Sequence, residues 1–222
     1  MLKPRHTDDA AVEAGIDEAG RGCLWGPLVA AAVVWPREAE WTEEMRAVAG
    51  QIRDSKKIAP KKRATLEAAI QKYATRWALG RVDATEIDTI GMTRANRLAF
   101  QRALDGLGEL PGRVLIDGIL GLPAVEDMEQ VVEPQGDGTY LAVAAASILA
   151  KEGRDRMVRE MCALEPELDT RYGLLASKGY GTAKHRDGVK AHGMHVQHRR
   201  LFLRKLLGID HVIEGGYDFV DD

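Results

Sequence analysis

The 222-residue sequence lacks the features of several common classes of protein. It has only two cysteines, Cys23 and Cys162, which form neither a disulfide framework nor a metal-binding spacing and fit a reducing cytoplasm. No uninterrupted apolar run reaches membrane-spanning length, and the first fifteen residues lack the apolar stretch of a signal peptide. The net charge of −3 shows no basic excess, so no global field indicates a nucleic-acid or membrane partner. We therefore expect a globular cytoplasmic protein.

The charge is distributed unevenly along the chain. Between Ser177 and Leu206 the only acid is Asp187, and an acidic tail after Gly208 hides this basic segment in the net charge. The bases of the segment are Lys178, Lys184, Arg186, Lys190, Arg199, Arg200, Arg204 and Lys205. A second basic cluster spans residues 53–63. Taken alone, such clusters are usually solvated faces, and they indicate phosphate contacts only if a catalytic site lies between them.

The hydrophobic pattern predicts a mixed α/β fold. Apolar runs predict strands at 12–16, 28–35, 75–82, 113–118 and 129–134. Helical spacing predicts helices at 59–74, 93–107, 139–164 and 182–193. The first two strands are joined by a Gly-rich turn, which indicates a hairpin. Strand pairs followed by alternating helices and strands favour a mixed sheet covered by helices.

Acidic residues stand at three strand ends or tight turns. They are Asp17 and Glu18 after the first strand, Asp117 after "VLI", and Asp137 in the turn before the long helix. Each position alone is more typical of a turn, but together they lie where α/β sheets build sites. Adjacent strand residues point to opposite faces, so Asp17 and Glu18 are expected to share a site only if the strand ends or bulges there. The Glu18 carbonyl is an alternative ligand.

Clustered carboxylates require a counter-charge. Two charges about 4 Å apart repel by roughly 1 kcal/mol in water and about 4 kcal/mol at an effective dielectric near 20. A divalent cation removes this repulsion, and an all-oxygen ligand set selects Mg²⁺ or Mn²⁺ over zinc. Carboxylate–metal sites of this kind most often act on phosphates.

Several short motifs follow one another along the chain. The first is "GIDEAGRG" at 15–22, followed by "DSKK" at 54–57 and "LIDG" at 115–118. "GD" at 136–137, "AAASILAK" at 144–151 and "RDR" at 154–156 come next, and "KGYGT" at 178–182 and "HRR" at 198–200 complete the order. In this order the motifs resemble those of the type 2 ribonucleases H, most closely bacterial ribonuclease HII, over nearly the whole chain.

The resemblance implies a ribonuclease H fold, with a five-stranded mixed sheet flanked by helices and a C-terminal helical part. It implies a catalytic domain over 12–206, with 207–222 as an acidic tail, in a monomeric enzyme. The implied activity is cleavage of RNA in RNA–DNA hybrids and on the 5′ side of single ribonucleotides embedded in duplex DNA. Two-metal hydrolysis would leave 3′-OH and 5′-phosphate ends.

The resemblance also assigns residues. Asp17, Glu18, Asp117 and Asp137 correspond to the catalytic ligands of Mg²⁺ or Mn²⁺. Gly20, Arg21, Gly22 and Tyr180 correspond to the elements that recognise the junction from ribonucleotide to DNA. Further substrate contacts are expected from Ser55, Lys56, Ser147, Lys151 and Lys178.

Two alternatives stay open at this stage. One is a nucleic-acid-binding module without catalysis, in which the acids are turn residues. The other is a different metal nuclease on the same fold, such as a junction resolvase. Trp25 is expected to pack in the core rather than stack on nucleic acid. The four histidines of the basic segment show no metal-ligand spacing and are expected at the surface; they are His185, His192, His195 and His198.

Overall fold

The computed structural model describes residues 2–124 and 128–208, and within them a five-stranded mixed sheet. The strands are β1 (Glu13–Ala19), β2 (Leu28–Val34), β3 (Arg76–Val82), β4 (Arg113–Asp117) and β5 (Glu129–Glu133). Their order is β3-β2-β1-β4-β5. β2 pairs antiparallel with β1 and β3, whereas β4 pairs parallel with β1 and β5. All five predicted strands and the predicted hairpin are confirmed.

The described residues form nine α-helices. They are α1 (Glu43–Ala49), α2 (Pro60–Tyr73), α3 (Ala84–Ile90), α4 (Met92–Asp105), α5 (Leu141–Leu164), α6 (Glu167–Tyr172), α7 (Leu174–Ser177), α8 (Ala183–His192) and α9 (Arg200–Leu207). The four predicted helices correspond to α2, α4, α5 and α8. The other five have eight residues or fewer, too short to display a clear apolar period. No helix in residues 2–124 and 128–208 is long and apolar enough to cross a membrane.

Helices cover both faces of the sheet. Helices α1, α2 and α5 pack on one face, and α3 and α4 pack on the other. β2 is buried along its whole length, which explains its continuous apolar sequence "LVAAAVV". Helix α5 approaches β1 so closely that a β-carbon at Gly15 would lie 2.2 Å from the Ala142 carbonyl carbon.

The C-terminal helices form a separate apolar cluster against the end of α5. Trp25 is fully buried in it, together with Tyr172, Val189 and Leu203, so its predicted core role is confirmed. This cluster holds the chain that follows β1 against the C-terminal part. The acidic tail predicted for 207–222 lies outside the described residues from position 209 onward.

Candidate active site

Asp17 and Asp117 lie side by side at the carboxyl edge of the sheet. The parallel pairing of β1 with β4 extends to Ile16 opposite Ile116, and the next residue in each strand is an aspartate. Asp17 is only 6% exposed. The Oδ1 atom of Asp117 is buried and has no hydrogen-bond partner in the described chain. The edge of the sheet therefore carries an acceptor that the protein itself does not satisfy.

Glu18 joins this pair from the other face of the sheet. The pairing of β1 with β4 stops at Ile16, and β1 itself ends at Ala19, one residue after Glu18. Its pairing with β2 is regular through Ala19, so the strand ends beside these acids without a bulge. The two side chains do leave opposite faces, toward Ser147 of α5 and Asn96 of α4 respectively. Because β4 ends at Asp117, both can approach that carboxylate around the edge.

Asp137 comes from the short turn that precedes α5. It belongs to a single 3₁₀ turn, Gly136–Gly138, and is buried. A β-carbon built at Gly136 would lie 3.6 Å from Asp117 Oδ1, which shows how closely this turn approaches the strand edge. Asp54 of the "DSKK" segment also faces Asp137 and raises its pKa. Sequence analysis did not single out Asp54.

The acids perturb one another. Burial raises the pKa of Asp17 well above its ordinary value, and the charges of Glu18 and Asp117 raise it further. Burial likewise raises the pKa of Glu18 and of Asp137, and the charge of Asp117 adds to both shifts. The cluster therefore resists full ionisation unless a positive charge enters it.

The donor set fits a hard divalent cation. Carboxylate oxygens dominate, and the unpartnered Asp117 oxygen is available for a ligand. Across residues 2–124 and 128–208, no three Asp, Glu, His or Cys side chains lie in an arrangement that could by itself hold a metal ion. The acids thus form an open group of donors at the strand ends.

Two buried hydroxyls lie behind Asp17. Ser55 and Ser147 are each 4% exposed, and their Oγ atoms are 2.8 Å apart. The Ser147 hydroxyl also donates to Asp17, which lowers the pKa of that carboxyl against the effect of burial. Both serines are buried, and their predicted direct contact with the substrate stays a prediction. Their hydroxyls form a buried pair beside Asp17.

Lysines border the acids. Lys56 is exposed, and its charge lowers the pKa of both Glu18 and Asp137. Lys151, one turn after Ser147 on α5, binds Asp155 Oδ1 at 2.7 Å. Asp155 is buried, so this part of α5 does not face solvent.

Two buried arginines contact the backbone of the Gly20–Gly22 loop and hold it in place. Gly20 has φ +91°, and a β-carbon there would lie 2.0 Å from Arg154 Nε, so only glycine fits. Arg199 donates through Nη1 to the Gly20 carbonyl at 2.7 Å and to the Arg21 carbonyl at 3.0 Å. Arg154 and Arg199 are both fully buried. Arg21 itself is exposed, with Nη1 4.0 Å from Glu18 Oε1.

Tyr180 lies at the surface beside this loop. It is 44% exposed, so it does not pack α8 onto the sheet. Its loop is tied to the first one, because Leu24 N donates to Gly179 O at 2.9 Å and Arg154 Nη1 donates to Lys178 O at 2.7 Å. Lys151 Nζ is 6.0 Å from the centre of the tyrosine ring. Ser147, which contacts Asp17, lies about 6 Å from Lys151 along the axis of α5, so α5 connects the acids to the side of the Tyr180 loop.

Three further residues of this region, Arg154, Arg199 and Asn96, were not indicated by the sequence as buried parts of the site. Arg154 and Arg199 belong to the quoted "RDR" and "HRR" motifs, but a sequence gives no sign that an arginine is buried. Asn96 gave no signal at all. The predicted surface position is also wrong for His185 and His198, which are 0% and 2% exposed. Cys23 is buried, and burial raises the pKa of its thiol, as expected of an unreactive cysteine.

A five-stranded mixed sheet with acids at the ends of its central parallel strands defines a nuclease of the ribonuclease H fold. Residues 14–205 match the sequence model of the ribonuclease HII family. Ribonuclease HII from Synechococcus sp. (strain CC9902) is 44% identical over 195 residues, covering 88% of this chain and 94% of that protein. Ribonuclease HII from Chlorobium luteolum is 42% identical over 194 residues, covering 87% and 89%.

A solved structure agrees with these relatives. Ribonuclease H2 from Pyrococcus horikoshii OT3 has a TM-score of 0.70 at 26% identity, covering 87% of this chain and 96% of that one. The chain belongs to the ribonuclease HII family and is a ribonuclease H, an endonuclease.

Proposed function

We propose that this enzyme cleaves the RNA strand of RNA–DNA hybrids and the 5′ side of single ribonucleotides embedded in duplex DNA. The products are 3′-OH and 5′-phosphate ends, and the enzyme serves to remove ribonucleotides from DNA. One observation carries the proposal: the acid cluster, with its unsatisfied Asp117 oxygen, adjoins two loops whose backbones are held by buried arginines. The first feature suits phosphodiester hydrolysis, and the second suits recognition of one sugar.

The four acids would hold two Mg²⁺ or Mn²⁺ ions. Support comes from the raised pKa values of Asp17, Glu18 and Asp137, which indicate a site that favours an incoming cation. Bound cations of this kind activate water and stabilise both oxygens of an in-line displacement. Within the protein, Ser147 orients Asp17, and Asn96 lies against Glu18.

Lysines and an arginine beside the acids bind the duplex backbone. Lys56 is close enough to influence two of the acids, and Lys151 and Lys178 border the Tyr180 loop. Arg21 is exposed at the tip of its loop and suits a neighbouring phosphate. These contacts carry no sequence information, which agrees with an enzyme that must act at any position in DNA.

Recognition of the ribonucleotide requires detection of a single 2′-OH. A site built to hydrogen-bond a hydroxyl can reject its absence by about 10⁴-fold, far more than an apolar pocket can. The Gly20–Gly22 loop supplies backbone groups to the sugar, and at Gly22 no β-carbon shields them. The exposed Tyr180 ring packs against the next deoxyribose, which lacks the hydroxyl, and so senses the junction.

The catalytic unit proposed here spans residues 12–206 and acts as a cytoplasmic monomer. Residues 14–205, which match the family, support these limits. The two buried, free cysteines fit a reducing compartment.

The decisive substrate is an end-labelled DNA duplex with one ribonucleotide, incubated with Mg²⁺ or with EDTA. We expect one cut, directly 5′ of the ribonucleotide, with Mg²⁺ only. An all-DNA duplex of the same sequence is the control and should stay intact. Cleavage of that control, or no cleavage of either duplex, would contradict the proposal in favour of another metal nuclease or a binding module.

Tyr180→Ala tests the junction role. Loss of a stacked aromatic costs about 1–3 kcal/mol, hence about 5- to 150-fold in rate. This loss should affect embedded ribonucleotides more than long hybrids, while Tyr180→Phe, which keeps the ring, stays near wild type. Equal losses on both substrates would show that Tyr180 does not sense the junction.

A further inference from the structure

Two buried histidines connect the Tyr180 loop to the chain that follows the Gly20–Gly22 loop. His185 lies in the first turn of α8, and His198 precedes α9. They are 0% and 2% exposed. Neither contacts the acids, and the proposed chemistry leaves both without a task. Buried polar rings of this kind require hydrogen-bond partners, and these partners define their role.

The two rings form a continuous chain of hydrogen bonds. The backbone N–H of His195 donates to His198 Nδ1 at 2.8 Å. The Nε2 atoms of His198 and His185 are 3.0 Å apart, and His185 Nδ1 is 2.9 Å from the Tyr180 carbonyl oxygen. A carbonyl accepts only, so His185 carries its proton on Nδ1. A backbone N–H donates only, so His198 carries its proton on Nε2 and donates it to His185.

This arrangement holds only while both rings are neutral. A second proton on either ring would place one donor against another, at His195 N or between the two Nε2 atoms. Burial lowers the pKa of His185, and burial together with His185 lowers the pKa of His198 to about 3. Tyr172 packs against both rings, with centroid distances of 6.1 Å to His185 and 4.8 Å to His198. The pair is therefore rigid and uncharged, and we call His185 and His198 together the strut.

One end of the strut is bound to the chain that follows the Gly20–Gly22 loop. His198 pairs with Trp25 in an isolated β-bridge, and Arg199 N donates to the carbonyl of Leu24 at 2.8 Å. The Arg199 side chain then holds the carbonyls of Gly20 and Arg21. Two consecutive residues therefore contact the two loops. His198 reaches the Tyr180 loop through His185, and Arg199 binds the Gly20–Gly22 loop directly.

The other end supports a loop with unfavourable backbone geometry. Lys178 has φ +51° and Gly179 has φ +82°, and this left-handed conformation is strained for a non-glycine residue such as Lys178. The Tyr180 carbonyl accepts from Thr182 N at 2.8 Å as well as from His185. The strut therefore fixes the backbone from which the exposed tyrosine ring projects.

We propose that His185 and His198 are positioning residues that set the Tyr180 loop relative to the Gly20–Gly22 loop, and so set the preference for a single embedded ribonucleotide over a long hybrid. This inference rests on the proposed junction role of Tyr180. The histidines touch neither the reacting phosphate nor the acids. Their effect is on specificity, because hydrolysis of a long hybrid tolerates a displaced junction sensor.

The test compares two substitutions at one position. His185→Leu removes both hydrogen bonds, whereas His185→Asn keeps an N–H donor at the position of Nδ1. We expect His185→Leu to lower the ratio of kcat/KM on the embedded ribonucleotide to that on the hybrid by about tenfold. His185→Asn should restore the ratio to within about threefold of wild type.

Tyr172→Phe is the matched control. It removes one hydrogen bond, from Tyr172 Oη to the Gly193 carbonyl at 3.1 Å, from the same apolar cluster. It should lower the melting temperature without changing the ratio. If His185→Leu lowers the melting temperature similarly and leaves the ratio at the wild-type value, the positioning role is wrong.

Two readouts do not depend on activity. Nitrogen NMR of the wild-type enzyme should show the Nδ1–H tautomer for His185 and the Nε2–H tautomer for His198 near about pH 7. Amide hydrogen exchange over residues 178–182 should be faster in His185→Leu than in Tyr172→Phe. Reversed or charged tautomers, or equal exchange, would overturn the strut. A wild-type enzyme with no cleavage at embedded ribonucleotides would instead overturn the proposed function, with these two readouts still deciding the strut.

Discussion

Replacement of Asp117 by asparagine should inactivate the enzyme and stabilise the metal-free protein. Asp117 raises the pKa of Asp17, Glu18 and Asp137, so its charge opposes three neighbouring charges. Its Oδ1 is buried without a partner, so the substitution removes no hydrogen bond at that atom. Asparagine has nearly the same shape, and its amide N–H groups can donate to the neighbouring carboxylates.

The magnitude follows from the repulsion removed. One like-charge pair at about 4 Å costs roughly 1 kcal/mol in water and about 4 kcal/mol at an effective dielectric near 20. Allowing for protonation of part of the cluster, we expect a gain of about 2 kcal/mol in the free energy of unfolding. For a chain of this size that corresponds to a melting temperature about 4–8 °C higher.

The gain in the free energy of unfolding from Asp117→Asn should increase with pH. The pKa values of the three remaining acids are raised in the folded protein, so folding retains protons on them. The repulsion is therefore fully present above the raised pKa values and absent below the ordinary carboxyl range. The extra stability of Asp117→Asn should be largest at about pH 7.5 and should vanish toward about pH 4.

The assay is thermal unfolding in EDTA, with cleavage of the one-ribonucleotide duplex measured separately in Mg²⁺. Activity should fall at least about 100-fold, beyond the usual effect of altering a metal ligand's outer partners. Glu152→Gln is the control, since Glu152 is a buried acid that accepts from Arg63 Nε at 2.5 Å. It should lose about 1.5–3 kcal/mol. A melting temperature of Asp117→Asn far below wild type, like that of the control, would show that Asp117 is structural.

Three further outcomes are expected. Affinity for duplex should fall steeply between low and physiological salt, and Lys56→Ala and Lys178→Ala should each flatten that dependence by about one unit of slope; binding that ignores salt would refute the phosphate contacts. Ser147→Ala should raise the pKa of Asp17 further, because the serine hydroxyl lowers it, and should shift the acidic limb of the pH–rate profile to higher pH; an unchanged limb would refute the orienting role. Gly20→Ala should reduce both stability and cleavage, because its β-carbon would overlap a buried guanidinium; a wild-type melt would contradict that contact.

Most of the sheet was predictable because its strands are unusually clear in sequence. β2 is a continuous apolar run and β4 ends on an acid, and both patterns follow directly from burial and from the position of the sheet edge. The acids were predictable as a group for the same reason. What the sequence did not reveal was that β4 ends at Asp117, early enough for Asp17 and Glu18 to approach that residue from opposite faces of the sheet.

The polar interior was much less predictable. Runs of lysine, arginine, serine and histidine ordinarily indicate a solvated face. Taken alone, the basic segment after Ser177 indicates such a face. Ser147, Arg199 and His185 are instead buried by tertiary packing that joins distant parts of the chain. Partners such as Gly20 for Arg199, 179 residues apart, leave no periodic trace. Sequence therefore indicates which residue types are present but not which of them face inward.

The buried arginines explain why chemistry and recognition can lie so close together. Arg154 and Arg199 bind loop carbonyls, and none of the hydrogen bonds found for them within the described chain goes to a carboxylate. Burial consequently lowers the pKa of Arg199 to about 10, and its Nη2 has no partner in the described residues. Burying two cations on neutral acceptors costs stability that an apolar core would not cost. Such a loss of stability is expected where the carbonyls must be held rigidly. The proposed detection of one hydroxyl on a sugar requires this rigidity.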